Sequence, residues 1–247
     1  MNIIIPMAGN GQRFIDAGYQ LPKPMIDVLG QPMIARVLEN LDIDGQYHFI
    51  VKSEHQKKYQ ICDVLKQLVP DCIITQLHEH TQGAVCSVLE AFKNKINFNE
   101  ELVITNCDQI FEWNKKNFFD IAASSEGVLL CHRDNDSKWS YCIGEEVDDM
   151  YMNVTSVVEK PTLVPDHSYA NVGLYYWKET ERFYTDAQRM INNKCLVKGE
   201  YYISPLYNYL CEEEKSVRAV MCKEMNGIGT PEDLKKYECK FDLDNKN

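Results

Sequence analysis

Two cations, Arg13 and Lys23, follow a turn of small residues, Ala8-Gly9-Asn10-Gly11, that itself follows the apolar run Ile3–Ile5. A buried strand that runs into a glycine turn delivers backbone N–H groups to one point, and fixed cations beside that point suit a polyphosphate. Lys23 lies between Pro22 and Pro24, which predicts a stiff, extended backbone under its side chain. The turn is not a dinucleotide fingerprint, because Phe14 occupies the third glycine position, and no Gly-Lys-Ser/Thr follows to make a Walker A loop. Alone, a Gly-x-Gly turn fits a plain tight turn equally well. Its conjunction with Arg13 and Pro22-Lys23-Pro24-Met25 favours a grip on a nucleoside triphosphate.

Four further places could complete such a site. Asp108 follows the apolar run Leu102–Thr105, so it emerges at the carboxyl end of a strand, where a hard oxygen ligand can hold Mg²⁺ against phosphates. Glu159-Lys160-Pro161 ends another strand and offers a cation, although Lys160 by itself also fits a solvated strand end. In Ala170-Asn171-Val172-Gly173 a glycine interrupts an apolar strand, the mark of a close approach by a ligand or another backbone. The loop Thr81-Gln82-Gly83-Ala84 precedes a helix, so the amides around Gln82 and Gly83 could face a ligand; a plain helix start explains it nearly as well.

The elements that must position these residues alternate. Apolar runs at Ile3–Ile5, Tyr47–Val51, Cys72–Thr75, Leu102–Thr105 and Val128–Cys131 read as strands. Between them, 54–69, 83–92 and 114–124 carry helical spacing, the first with Tyr59, Cys62, Leu65 and Val69 on one face. This alternation predicts a mostly parallel sheet with helices on both faces, and ligands beyond the carboxyl ends of its strands. In the second half, Ser140–Gly144 and Val154–Glu159 read as strands joined by an acidic stretch, an antiparallel excursion. A strand over Ala170–Trp177, a helix from about 179 to 191, a helical stretch at 204–213 and a strand over Val217–Met221 follow. A closing helix over 231–238 is marked by Thr230 as cap, Pro231 at its first position and acidic Glu232 and Asp233 in its first turn. The expected organisation is one domain over 1–240 with a polar tail, 241–247.

Bulk properties exclude several classes. The chain of 247 residues is 45% hydrophobic and 26% charged, with a formal charge of −11. These are the proportions of a globular protein, and the acidic balance argues against nucleic acid as a partner. Ten cysteines occur without a CxxC pair or zinc-ligand spacing to histidine, and Cys72, Cys107, Cys131 and Cys142 fall in or beside apolar runs as small hydrophobes. No signal peptide and no apolar run of membrane-spanning length is read, so a reduced, cytoplasmic location with no membrane partner is expected.

Taken together, Ala8-Gly9-x-Gly11-x-Arg13, Pro22-Lys23-Pro24-Met25, Gly30-x-Pro32-Met33-Ile34, Asp108, Glu159-Lys160-Pro161, Asn171-Val172-Gly173 and Gly229-Thr230-Pro231 resemble the sugar-nucleotide pyrophosphorylases, collinearly over about residues 2–238. The resemblance implies a Rossmann-like three-layer α/β/α domain with a mixed, mostly parallel sheet. It also implies a Mg²⁺-dependent nucleotidyltransferase that joins an NTP to a phosphate monoester, most often a sugar 1-phosphate, with release of pyrophosphate, here for capsule or another surface polysaccharide. By that analogy Arg13 and Lys23 are catalytic, and Ala8, Gly9, Asn10, Gly11, Gln82 and Gly83 bind the nucleotide. Asp108 is then the metal ligand, and Glu159, Lys160, Asn171 and Gly173 bind the acceptor. A homo-oligomer is compatible with the family. Two departures matter. Many relatives carry a second metal-binding aspartate where this chain has Met225-Asn226-Gly227. The short glycine turn is the form seen in cytidylyltransferases whose acceptor need not be a sugar, which keeps CTP beside UTP as donor and phosphocholine or a phosphorylated amino acid derivative as acceptor. A GT-A glycosyltransferase, which would want an Asp-x-Asp motif where Asp108-Gln109-Ile110 stands, and a silent nucleotide-binding module are the readings from other classes.

Overall fold

The structure, a computed structural model, describes residues 1–94 and 96–244. In chain order the strands are β1 Asn2–Pro6, β2 Asp27–Val28, β3 Gln31–Pro32, β4 Gln46–Lys52, β5 Ile73–Leu77, β6 Leu102–Thr105 and β7 Gln109–Glu112. After them come β8 Gly127–His132, β9 Ser140–Glu146, β10 Tyr151–Glu159, β11 Ser168–Trp177, β12 Val217–Met221 and β13 Glu224–Gly227. The helices are α1 Gln12–Asp16, α2 Met33–Leu41, α3 Ser53–Tyr59, α4 Ile61–Leu68, α5 Ala84–Ala91, α6 Lys115–Ala122, α7 Thr180–Asn192, α8 Tyr207–Glu212 and α9 Pro231–Asp244.

Nine strands form one mixed sheet in the order β5-β4-β1-β6-β11-β8-β12-β10-β9. The first four are parallel to one another, and β11 enters antiparallel between β6 and β8. Following the pairings, only β10 and β11 run against the other seven. Alternation along each strand divides the core by face. Ile3, Ile5, Phe49, Val103 and Val128 pack with α2, α4, α6 and α9 residues such as Val37, Leu65, Phe118 and Leu234. Ile4, Ile50, Ile104 and Leu129 pack with α5, α7 and α8 through Val88, Phe183 and Leu210. That is the expected three-layer α/β architecture.

From β1 the chain crosses to β4 and β5 on one side, then returns to β6 on the other, so a crevice opens between the carboxyl ends of β1 and β6. At the far edge the sheet curls. β11 pairs with β9 through Ser168–Ala170 and with β8 from Ala170 onward, and its register to β8 slips between Asn171 and Tyr175. Gly173, at φ 82°, sits in that slip.

Some local expectations give way. The stretch 54–69 is two helices, broken at Gln60 with φ 55°. Lys23 is not extended: it opens one turn of 3₁₀ helix, Lys23–Met25, after an extended Pro22. Pro24 sits at the second position of that turn, where it has no N–H to lose, so two prolines are compatible with a tight turn as well as an extended run. α9 continues to Asp244, and residues 245–247 lie outside the described part.

Candidate active site

The expected donor side lies at the carboxyl end of β1. Gly11, at φ 64°, turns the chain into α1, and a Cβ there would press on Lys23 Cβ at 3.2 Å. The glycine thus permits the turn and lets the lysine segment lie against it. Buried Phe14 anchors α1 against Tyr19 in an edge-on contact, while Arg13 stays exposed. A third cation, unpredicted from sequence, joins here: Lys52, at the end of β4, donates to Asn10 Oδ1. The Lys23 turn leads into the hairpin β2–β3, whose Leu29-Gly30 turn has φ of 53° and 83° and is held by Gly30 N donating to Asp27 Oδ1 at 3.1 Å. Arg36 of α2 donates to the carbonyls of Val28 and Leu29 at 3.0 and 2.5 Å.

Lys23 Nζ pairs with Asp108 Oδ2 at 2.8 Å. Burial alone would pull the lysine's pKa down, but the adjacent carboxylate more than offsets that and holds the ammonium above its ordinary value, against a smaller opposing effect of Arg13. The cation is therefore fixed and permanently charged. Asp108 is clamped on its other side: its carbonyl accepts from Ile228 N at 2.9 Å, and a Cβ at Gly229 would collide with its Oδ2. This explains the glycine of Gly229-Thr230-Pro231. β13 reaches this place by pairing antiparallel with β7, so Asn226 lies opposite Ile110. Asp233 does not substitute for the missing aspartate. Its Oδ2 accepts from Thr230 Oγ1 at 2.7 Å and its N–H donates to the same oxygen at 3.1 Å, a helix-start device.

Among the described residues no group of three or more His, Cys, Asp or Glu side chains is arranged to hold a metal. Mg²⁺ commonly takes one or two carboxylates completed by phosphate oxygens and water. Asp108, a hard oxygen donor facing the phosphate turn through its lysine partner, fits that role in the presence of a triphosphate.

Where the acceptor is expected there is a cavity of about 240 Å³ lined by Asn106, Gln109, Ser140, Glu159, Lys160, Asn171, Gly173, Tyr175 and Tyr202, with Ala84, Ile203, Lys138 and Trp139 completing its wall. All four expected acceptor residues come together there. The glycine at 173 is required by contact as well as by φ, since a Cβ would collide with Asn106 and Gln109. Asn171 is 3% exposed and spends Oδ1 on the Gly173 N–H at 2.6 Å, whereas its Nδ2 has no partner. Ser140 lies beside the Glu159 carboxyl and favours its charge slightly, yet its buried hydroxyl meets no partner at hydrogen-bonding geometry. Burial pushes the Glu159 carboxyl up to about 7, with Lys160, Ser140 and Lys198 pulling the other way.

The loop at Gln82 and Gly83 ties the two sides. Gly83 has φ 108°, and α5 begins at Ala84. The Val85 amide is already spent on the Tyr201 carbonyl at 3.2 Å, so the start of α5 offers fewer free donors than the sequence suggested. Asn106, Gln109, Lys138, Trp139 and Ser140 were not singled out from the sequence. Trp139, a lone aromatic in the polar run 133–140, carried the clearest available signal. Of the tyrosines near the C-terminus, Tyr202 lines the cavity, while Tyr207 is buried with its hydroxyl on the Val128 and Tyr176 carbonyls.

The site thus sets a cation-bearing glycine turn at the switch point of a mixed α/β sheet, with a polar cavity alongside. A family model described as nucleotidyl transferase matches residues 2–242, and the chain belongs to that family. It is 26% identical over 235 residues to the bifunctional protein GlmU of Methanocaldococcus jannaschii, covering 95% of this chain and 52% of that one. It is 25% identical over 250 residues to the UTP--glucose-1-phosphate uridylyltransferase AglF of Haloferax volcanii, covering 96% and 95%. The chain thus spans about half the length of the bifunctional relative and nearly all of the uridylyltransferase. A nucleoside-diphosphate-sugar pyrophosphorylase from Vibrio cholerae RC9 superposes with a TM-score of 0.82 at 24% identity, over 96% of this chain and 99% of that one. A UDP-glucose pyrophosphorylase complexed with UDP-glucose gives 0.77 at 14% identity, over 98% of each. Both share the fold. Among the described residues no helix is long and apolar enough to cross a membrane.

Proposed function

We propose that this chain transfers a nucleotidyl group from an NTP to a sugar 1-phosphate, releasing pyrophosphate. The observation that carries the choice of acceptor is the unpartnered Nδ2 of Asn171, buried in the wall of the cavity beside the unpartnered Ser140 hydroxyl. A buried donor left without an acceptor costs on the order of 1–3 kcal/mol, which a ligand oxygen can recover. Sugar hydroxyls present such oxygens, whereas the methyl groups of a choline headgroup present none. Lys160 would meet the acceptor phosphate, and Glu159 would hydrogen-bond a ring hydroxyl.

In the reaction, an oxygen of the acceptor phosphate attacks the α-phosphorus in line, the bond from that phosphorus to the β-phosphate bridging oxygen breaks, and pyrophosphate leaves with the electron pair. The nucleophile is already an anion at neutral pH, so no covalent residue is required, and rate comes from positioning and charge neutralisation. Lys23, held by Asp108, supports the charge that develops around the α-phosphorus. Arg13 and Lys52 receive the departing phosphates, and the backbone of Ala8–Gly11 fixes their register. Asp108 would hold Mg²⁺, which when bound neutralises triphosphate charge. UTP is the first donor to test, because a 25% identical relative is a UTP--glucose-1-phosphate uridylyltransferase. The test is coupled pyrophosphate release across UTP, CTP, dTTP, ATP and GTP against a panel of sugar 1-phosphates and phosphocholine. Turnover with phosphocholine and none with any sugar 1-phosphate would sink this reading.

A further inference from the structure

The segment between α7 and the turn Ser204–Leu206 touches both substrate sides through two adjacent tyrosines. Tyr201 is built into the nucleotide side by its backbone: its N–H donates to the Gln82 carbonyl at 3.0 Å and its carbonyl accepts from Val85 N at 3.2 Å. A Cβ at Gly83 would stand 2.6 Å from Tyr201 N, so the two segments meet backbone to backbone with no slack. Tyr202 lines the acceptor cavity instead. Its phenol oxygen accepts from Lys160 Nζ at 2.6 Å, and its hydrogen goes to Glu200 Oε2 at 2.6 Å. Lys160 Nζ also lies 4.2 Å from the centroid of the same ring.

The direction of this chain of contacts is fixed by valence. A phenol has one hydrogen, and Glu200 takes it, which leaves the oxygen lone pairs for the ammonium. An ammonium has three N–H groups, so one spent on Tyr202 leaves two for a ligand. The lysine stem starts from a fixed point, since Lys160 sits at φ 47° with its N–H on the Trp139 carbonyl at 3.0 Å. Its end would otherwise be free to swing, because a lysine stem is long and flexible.

We propose that Tyr202 is a positioning residue for Lys160: the relay Glu200–Tyr202–Lys160, hung from the nucleotide loop through Tyr201, sets the ammonium on the wall of the acceptor cavity. The inference rests on the reading above, in which Lys160 meets the acceptor phosphate. Tyr202→Phe is the sharp variant, because it keeps the ring, its packing and the ammonium–ring contact and removes only the phenol oxygen. In steady-state pyrophosphate release, Tyr202→Phe is expected to raise KM for the sugar 1-phosphate roughly tenfold, the scale of a lost hydrogen bond to a charged group. The turnover number and the NTP KM should move less than about twofold, a split that loosened packing would not produce. In a Lys160→Ala background the same change should add less than about twofold, because the residue acts through that lysine. An unchanged acceptor KM, or a full effect retained without Lys160, overturns the proposal. A second readout needs no turnover: acetylation of Lys160 by an N-hydroxysuccinimide ester, followed by peptide mapping, should be several-fold faster in Tyr202→Phe relative to the other lysines. Equal labelling rates overturn it as well. A wild-type protein that releases no pyrophosphate with any pair would sink the proposed reaction, while the labelling experiment still decides the role of Tyr202.

Discussion

The two halves of the site are prepared in opposite ways. On the donor side the inner polar groups already satisfy one another, with Arg13 left exposed: Lys23 is paired with Asp108 at 2.8 Å, Lys52 rests on Asn10, Gly11 lies tight against Lys23, and at Gly229 a Cβ would collide with Asp108. On the acceptor side the polar groups are left wanting. Asn171 Nδ2 and Ser140 Oγ are buried without partners, and burial pushes the Glu159 carboxyl up to about 7. The difference follows from what each half must recognise. Every NTP brings the same triphosphate, whose charge demands cations that are fixed and permanently ionised. In the proposed reaction the acceptor is one molecule among many phosphate esters, and discrimination would come from buried donors that only the right oxygens can satisfy.

The comparison breaks first at Lys23. Lys23→Ala is expected to lower the turnover number about 10²–10³-fold, the scale of removing one preorganised donor from a developing negative charge, while the NTP KM rises far less. Near-normal turnover of that variant in steady-state pyrophosphate release would mean that the Lys23–Asp108 pair is structural.

A smaller effect, of a different kind, is expected at Asn171. Asn171→Ala removes the waiting Nδ2 and the oxygen that accepts from Gly173 N at 2.6 Å. The sugar 1-phosphate KM should rise roughly tenfold, with the NTP KM almost unmoved, and urea unfolding should show a loss of about 1–3 kcal/mol for the orphaned Gly173 amide. Equal changes in both KM values would erase the distinction between the two halves.

How far this division is legible in the sequence depends on chain distance. The donor side is nearly contiguous, from Ala8 to Ile34, and its glycines and prolines announce their backbone needs. Even there the Lys23 turn is misread as extended, because Pro22 and Pro24 are compatible with either conformation. The break at Gln60 leaves no trace, since a glutamine in the left-handed region carries no glycine or proline signal. The acceptor cavity draws on 106–109, 138–140, 159–160, 171–175 and 202–203, and no local pattern says that these segments meet. Lys160 is legible as a strand-end cation before a proline and Gly173 as a strand-interior glycine, while an acceptor role for them, Glu159 and Asn171 rests on the family resemblance. Gln109 and Gly229 are placed by the β7–β13 ribbon, whose partners, such as Gln109 and Gly227, lie far apart in the chain and pair in a register set only by the folded sheet.

The smallest expected effect is on stability against pH, and it carries opposite signs in two regions. Glu159 has a folded pKa of about 7 against an ordinary 4.5. The folded protein keeps a proton that the unfolded chain releases, so this contribution is full below about pH 4.5 and is lost as pH rises to about 7. His48, on β4 away from the cavity, is pulled by burial from 6.5 to about 4, and neither ring nitrogen has a partner. Its contribution is full above about pH 6.5 and is lost as pH falls towards 4. Glu159→Gln should therefore gain stability over the wild type at pH 8, by about 1–2 kcal/mol after allowance for partial solvent access, and gain almost nothing at pH 4.5. His48→Leu should gain at pH 4.5 relative to its own change at pH 8. Urea midpoints for the three proteins at both pH values provide the check. Curves for Glu159→Gln that run parallel to the wild type from pH 4.5 to 8 would show that the Glu159 carboxyl keeps its ordinary pKa in the fold, and the waiting state assigned to the acceptor half would then rest on Asn171 and Ser140 alone.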